Sequence, residues 1–230
     1  MKKFKVLLYF LLGLSLSLFI LTTSIHIKSF DINYYMNSFK ENNIEAATNM
    51  DEENLRHVAK DFIKYLKDDR PKLDTTAVIK GELRPVYGER EILHMIDVKA
   101  LFKLSQWIKV ISAIVAIGSL LILFKIKALN SSYLGKTLMI TVGINLFLLL
   151  ILVLLIQSDF TQYFTYFHEI FFNNDLWLLD PETEVLIQMM PETFFIKAAI
   201  GIGLYYGTAL LLMMIVGFLL YKRKRERYII

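Results

Sequence analysis

"TLMITVGINLFLLLILVLLI", residues 137–156, holds no charged side chain and a single amide, Asn145. A helix of about 20 residues crosses the ~30 Å hydrocarbon core of a bilayer. Inside hydrocarbon every backbone N–H and C=O must be paired within the protein, and a single segment achieves this only as a helix. Three further blocks share this character: Val6–Ile25, Leu104–Phe124 and Ala198–Tyr221. They raise the hydrophobic share of the 230 residues to 55%, above the roughly 45–50% of soluble domains. The expected fold is a mainly α integral membrane protein with four transmembrane helices. The first block follows Lys2 and Lys3 as a signal peptide would. "LTTSIHIK", residues 21–28, offers no Ala-x-Ala cleavage site, and the apolar core is long, so an uncleaved first helix is expected.

Basic residues near the span ends set orientation. Lys2, Lys3 and Lys5 precede the first span. Lys125, Lys127 and Lys136 lie between the second and third, and Lys222, Arg223, Lys224, Arg225 and Arg227 follow the fourth. Glu226 is the one acid among them. The connection between spans three and four carries Asp159, Glu169, Asp175, Asp180, Glu182, Glu184 and Glu192, with no base before Lys197. Both termini are therefore expected in the cytoplasm, with regions 26–103 and 157–197 outside. The net charge of +4 then reflects topology, and no nucleic-acid partner is implied. The absence of Cys fits an outer face built without disulfides.

The chain accordingly reads as residues 1–25 (N-terminus and first span), 26–103 (an outer domain), 104–124 (second span) and 125–136 (inner loop). There follow 137–156 (third span), 157–197 (an outer interfacial segment), 198–221 (fourth span) and 222–230 (basic tail). In the outer domain, Asn49 is read as an N-cap with Glu52 three residues on, as in a capping box. Leu55, Val58, Phe62 and Leu66 follow at helical spacing. Gly81, Pro85 and Gly88 punctuate β-prone runs and predict a small hairpin, so this domain is small and mixed α/β. From Glu89 a helix runs toward the second span. In the second outer region a short aromatic helix starts at Asp159 or Thr161, and Pro181 is expected to open another. Its Tyr, Phe and Trp side chains suit a membrane interface. Asn145 reads as an interhelical hydrogen-bond donor, and Gly203 with Gly207 as a close-packing pair.

Of the four histidines, His26 and His57 read as incidental. His94 and His168 sit in mixed apolar and acidic settings near span ends. Glu91 and Asp97 lie three residues either side of His94, on neighbouring helical faces. A carboxylate there can orient an imidazole through one nitrogen and leave the other to take a proton. His168–Glu169 begins like the zinc-protease helix motif, but position 172 is Phe where the second ligand would stand. A zinc site from His94, Asp97, His168 and Glu169 is the weaker alternative. No nucleophile elbow, Cys nucleophile, phosphate loop or dinucleotide fingerprint is present.

"GEREILHMIDVKALF", residues 88–102, and "FHEIFFNNDLWLLDPETEVLIQMMPETFF", residues 167–195, resemble the lipoprotein intramolecular transacylase (Lit) family of Gram-positive bacteria. The order of pieces matches along nearly the whole chain; residues 26–80 match in length and position. The resemblance implies a multi-pass enzyme of the bacterial cytoplasmic membrane, with its active site on the extracytoplasmic face. Its partners would be diacylglyceryl-modified lipoproteins and membrane lipid. The sn-2 acyl chain would move to the cysteine α-amine, giving an N-acyl, S-monoacylglyceryl (lyso) lipoprotein. His94 and His168 would correspond to the family's two motif histidines, His168 as base and His94 as its partner or an oxyanion donor. Arg90 would stabilise the oxyanion, and Glu91 and Asp97 would orient His94. Glu169, Asn173, Asp175 and Trp177 complete the supporting or substrate-binding set. No metal and no cofactor is required, and nothing sets the oligomeric state. A metal-dependent membrane hydrolase using the same cluster, and a non-enzymatic sensor or accessory protein, are the competing readings.

Overall fold

The computed structural model describes residues 2–226, and side chains up to Arg223. Lys224, Arg225 and Arg227 of the expected basic tail therefore lie outside the described side chains. Eleven elements follow in order: α1 (Lys2–Ser29), α2 (Ile32–Glu41), α3 (Ile44–Thr48), α4 (Glu52–Leu66), β1 (Thr76–Ile79) and β2 (Glu82–Pro85), then α5 (Glu89–Lys125), α6 (Ser131–Ser158), α7 (Phe160–Phe171), α8 (Val185–Met189) and α9 (Glu192–Glu226). Among the described residues, α1, α5, α6 and α9 are long and apolar enough to cross a membrane. The chain forms two compact units.

One unit takes in the chain up to His26, residues Gln106–Leu155 and the part from Gly201 on. It consists of spanning helices. Large apolar side chains such as Phe10, Ile114, Phe147 and Leu204 are exposed on them, where a water-soluble fold would carry charge. Asn145 does join helices, but as an acceptor. Its Oδ1 takes the Ser17 hydroxyl at 2.7 Å and the Tyr206 hydroxyl at 2.6 Å, while its amide donates within α6 to the Thr141 carbonyl at 2.8 Å. Close backbone approach falls elsewhere than expected. A Cβ at Gly203 or Gly207 would meet Leu149 at an ordinary 3.8 Å, whereas one at Gly135 would meet the Gly217 carbonyl at 2.4 Å. Small residues bring helices together where backbone faces backbone, and that place is Gly135.

The other unit, Ile27–Ser105 with Ile156–Ile200, holds the candidate site. Its core joins Tyr35 and Phe39 of α2, Leu55, Val58 and Phe62 of α4, Ile79 of β1, Met95 of α5 and Leu186 and Met189 of α8. Fully burying each of the larger side chains contributes about 2 kcal/mol. The N-cap of α4 is Asp51, whose side chain accepts from Asn54 N at 2.8 Å. Asn49 instead ends α3 in the left-handed region at φ 55°, which its short polar side chain tolerates. The hairpin forms as expected, in antiparallel register Ile79 opposite Glu82. Its two-residue turn, Lys80–Gly81, takes φ of 56° and 82°, as a right-twisted hairpin needs. Helices α2 and α3, before α4, were not anticipated from the sequence.

One correction concerns the chain after α7. Asp159 caps α7 through Gln162 N at 3.0 Å, as expected. Pro181, however, opens a turn, with Asp180 Oδ1 accepting from Glu182 N at 2.9 Å and Glu184 Oε2 from Asp180 N at 2.6 Å. These local side-chain bonds satisfy the backbone without a helix, and α8 begins only at Val185.

Candidate active site

The first turns of α5, ahead of the apolar stretch 104–124, carry Arg90, Glu91, His94 and Asp97. Helix α7 carries His168 near its C-terminal end. His94 and His168 are both buried, with ring centroids 6.1 Å apart. Imidazole nitrogens lie about 1.1 Å from the ring centre, so no nitrogen pair closes to the ~3 Å of a hydrogen bond.

His168 donates its Nδ1 proton to the Phe164 carbonyl at 2.7 Å. That leaves Nε2 as the basic nitrogen. Aromatic rings enclose the imidazole. Trp177 stacks on it at 4.8 Å and 27°, Phe164 and Phe167 meet it edge-on at 4.4 and 5.4 Å, and Phe172 lies at 5.5 Å. Phe172 also stands edge-on to His94 at 5.3 Å. Burial lowers His168 below the ordinary histidine range, against the opposing pull of the Phe164 carbonyl. Burial, helped by neighbouring His168 and opposed by Asp97, lowers His94 to about 4. Both rings are thus neutral at pH 7.

The carboxylates do not orient His94 as expected. Glu91 is 2% exposed. Its two oxygens accept from Gly88 N and Leu186 N, each at 2.5 Å, and so clasp the start of α5 to α8. Unpaired N–H groups at buried helix starts are costly, and this cost directs the carboxylate to them. Asp97 Oδ2 accepts from Asn174 Nδ2 at 2.9 Å. Arg90 donates to the Asp175 carbonyl, with the Asp175 carboxylate 3.6 Å away. Among the described residues, His94 Nδ1 and Arg90 Nε are buried with no hydrogen-bond partner. They lie on one helix, four residues apart and hence on one face. Buried polar atoms without partners are few; Thr23 Oγ1 and the Tyr87 hydroxyl are two others among the described residues. Glu169 and Asn173 are exposed and make no hydrogen bond to either histidine.

The sequence reading took Phe164 and Phe172 as members of an interfacial aromatic belt without placing them on the histidines, and it missed Asn174. Only the aromatic density of the stretch pointed toward the first two, and Asn174 carried no signal. No three His, Asp or Glu side chains among the described residues are placed to hold a metal ion together.

The lipoprotein intramolecular transacylase Lit family model matches residues 10–195. The chain belongs to the Lit family. It is thus a membrane acyltransferase of the intramolecular transacylase kind, and lipoproteins are the substrates its family name gives. The resemblance drawn from the two quoted stretches holds. The chain is also similar to the membrane integral Lit of Bacillus cereus, with a TM-score of 0.81 at 23% identity over 98% of this chain and 100% of that one. Two further structures of the Bacillus cereus protein carry a histidine replaced by arginine or by alanine. Each aligns with a TM-score of 0.75 at 23% identity, over 98% of this chain and 96% or 97% of theirs. This likeness speaks for the fold: a multi-pass, mainly helical membrane protein with a small two-stranded sheet. No curated protein sequence matches the chain.

Proposed function

We propose that this Lit protein moves the sn-2 acyl chain of a diacylglyceryl-cysteine onto the cysteine α-amine, with His168 as proton carrier and His94 beside it. The observation that carries this reading is the meeting of His94 and His168, both buried and 6.1 Å apart among aromatic rings. Ester and amine belong to one molecule, so holding them in attack geometry can supply ~7–11 kcal/mol of the barrier.

The α-amine has a pKa of about 8, so roughly a tenth of it is neutral at pH 7. An apolar pocket favours that neutral form. The amine nitrogen attacks the sn-2 carbonyl, and His168 Nε2 takes the proton the nitrogen must lose. The imidazolium then gives that proton to the departing glyceryl oxygen. One C–N bond forms, one C–O bond breaks, and the imidazole returns neutral. The carbonyl oxygen bears charge in between. His94 and Arg90, whose Nδ1 and Nε are buried without partners, are the groups we assign to it. Phe164, Phe167 and Phe172 wall the pocket against acyl chain.

The excess of Lys and Arg beside the inner span ends supports a cytoplasmic location for both termini. The site then lies on the extracytoplasmic face, where lipoproteins are anchored. The test is a mass spectrum of a reporter lipoprotein's N-terminal peptide from a host without other N-acylation. Wild-type protein should yield the N-acyl lyso form. His168→Asn and His94→Asn should leave the diacylglyceryl, free-amine terminus, with rates down at least ~100-fold. Full conversion by either variant ends the two-histidine reading.

A further inference from the structure

Asn174 ties the loop that follows α7, the helix of His168, to α5, the helix of His94. Its Nδ2 donates to Asp97 Oδ2 at 2.9 Å, one turn past His94 on α5. Its Oδ1 accepts from Leu176 N at 3.1 Å, which fixes the loop's turn. Its carbonyl accepts from Trp177 Nε1 at 2.9 Å. The indole so held lies on the His168 ring at 4.8 Å and 27°. Arg90 adds a second tie from α5 to the same loop, at Asp175. The loop is thus strapped to α5 one turn before His94 and one turn after it.

We propose that Asn174 is a positioning residue: its tie to Asp97 keeps Trp177 flat on His168, closing that imidazole to water so that the acyl chain goes to the amine. The proposal rests on the transacylase reading above. A proton-carrying imidazole beside an ester activates water as readily as an amine, and closed sites suppress such side reactions. With the strap loose, a water oxygen attacks the sn-2 carbonyl. Its proton passes through His168 to the glyceryl oxygen. The products are free fatty acid and a lyso-lipoprotein with a free amine. His94, Arg90 and Asp97 of α5 and Asp175 of the loop are the titratable or charged groups around the strap; Glu169, next to His168 in the chain, is exposed.

Two readouts test this on the full chain in detergent. The first is product partition by mass spectrometry. Asn174→Ala should raise the ratio of free-amine to N-acyl lyso product roughly tenfold, and slow N-acylation roughly ten- to a hundredfold with little change in KM. Asp97→Leu cuts the same tie from the other end and should match it. Asp97→Asn keeps an oxygen acceptor, so its product ratio should stay that of the wild type. The second readout is emission in a Trp107→Phe background, where Trp177 is the remaining indole of the chain's two. Acidification should quench it through the stacked imidazolium, and Asn174→Ala should abolish that quench. Either readout staying at the wild-type value in Asn174→Ala overturns the proposal. A wild-type protein that makes no N-acyl product overturns the transacylase reading instead, and the quench, which needs no substrate, still decides the strap.

Discussion

His168 gives its Nδ1 proton to the carbonyl of Phe164, one turn earlier on the same helix, at 2.7 Å. The bond keeps the proton on Nδ1 and leaves Nε2 as the ring's basic nitrogen.

A pH dependence follows. His168 sits below the ordinary histidine range and His94 at about 4. Lowered values mean that protonation, and loss of the base, comes only on acidification below ~6.5. The substrate amine adds a second rise, complete near pH 8–9. The rate of N-acylation should therefore climb through neutral pH with the amine and fall steeply only at distinctly acid pH. A rate profile on a short diacylglyceryl peptide checks this, and an inflection at or above 7 that persists with an amine of much lower pKa contradicts it.

Glu91 should govern stability more than chemistry. Glu91→Ala leaves the Gly88 and Leu186 N–H groups without their acceptor, at about 1–3 kcal/mol each. The pH sign is also set. Burial raises the Glu91 carboxyl, with the two N–H donors pulling the other way. An acid raised in the folded state is relatively stabilising when protonated. That contribution is complete below the ordinary carboxylate range and fades as pH rises through the raised value. Thermal unfolding of wild type and Glu91→Gln should show the wild type losing ground to the variant across that window. Parallel curves would mean the carboxyl titrates normally.

The spanning helices give a contrast between glycines. Gly135→Ala drives a methyl into the Gly217 carbonyl at 2.4 Å and the Tyr221 backbone nitrogen at 2.7 Å, where nothing flexible can yield. Gly207→Ala meets only a Leu149 methyl at 3.8 Å. The first should destabilise the protein in detergent by about 1–3 kcal/mol, the second by less than ~0.5 kcal/mol. Equal melting temperatures for the two variants would contradict the packing described.

Metal removal separates the transacylase from a hydrolase reading. Among the described residues no three ligands converge, and the proposed proton route needs only the His168 imidazole and substrate atoms. Transacylation should proceed at its full rate after dialysis against EDTA. Loss of activity that added zinc restores would reverse this.

The spans, the hairpin and the two histidine stretches were legible in the sequence because each depends on local physics. Crossing length, backbone self-satisfaction, the punctuating Gly81, Pro85 and Gly88, and aromatic density are all set by neighbours in the chain. The partners of the polar side chains were not. Glu91 and Asp97 stand one helical turn from His94, and spacing alone lets either face it. The folded chain turns Glu91 to the N–H groups of Gly88 and Leu186, because buried donors left unpaired are costly, and it pairs Asp97 with the exposed amide of Asn174. Pro181 likewise opened a turn because Asp180 and Glu184 satisfy the backbone there. The sequence by itself determined which helices can cross a membrane and which two imidazoles stand at the candidate site. Only the tertiary structure decided that the two imidazoles meet and that Glu91 turns away from them, since partners far apart in the chain are chosen by which buried groups would otherwise go unpaired.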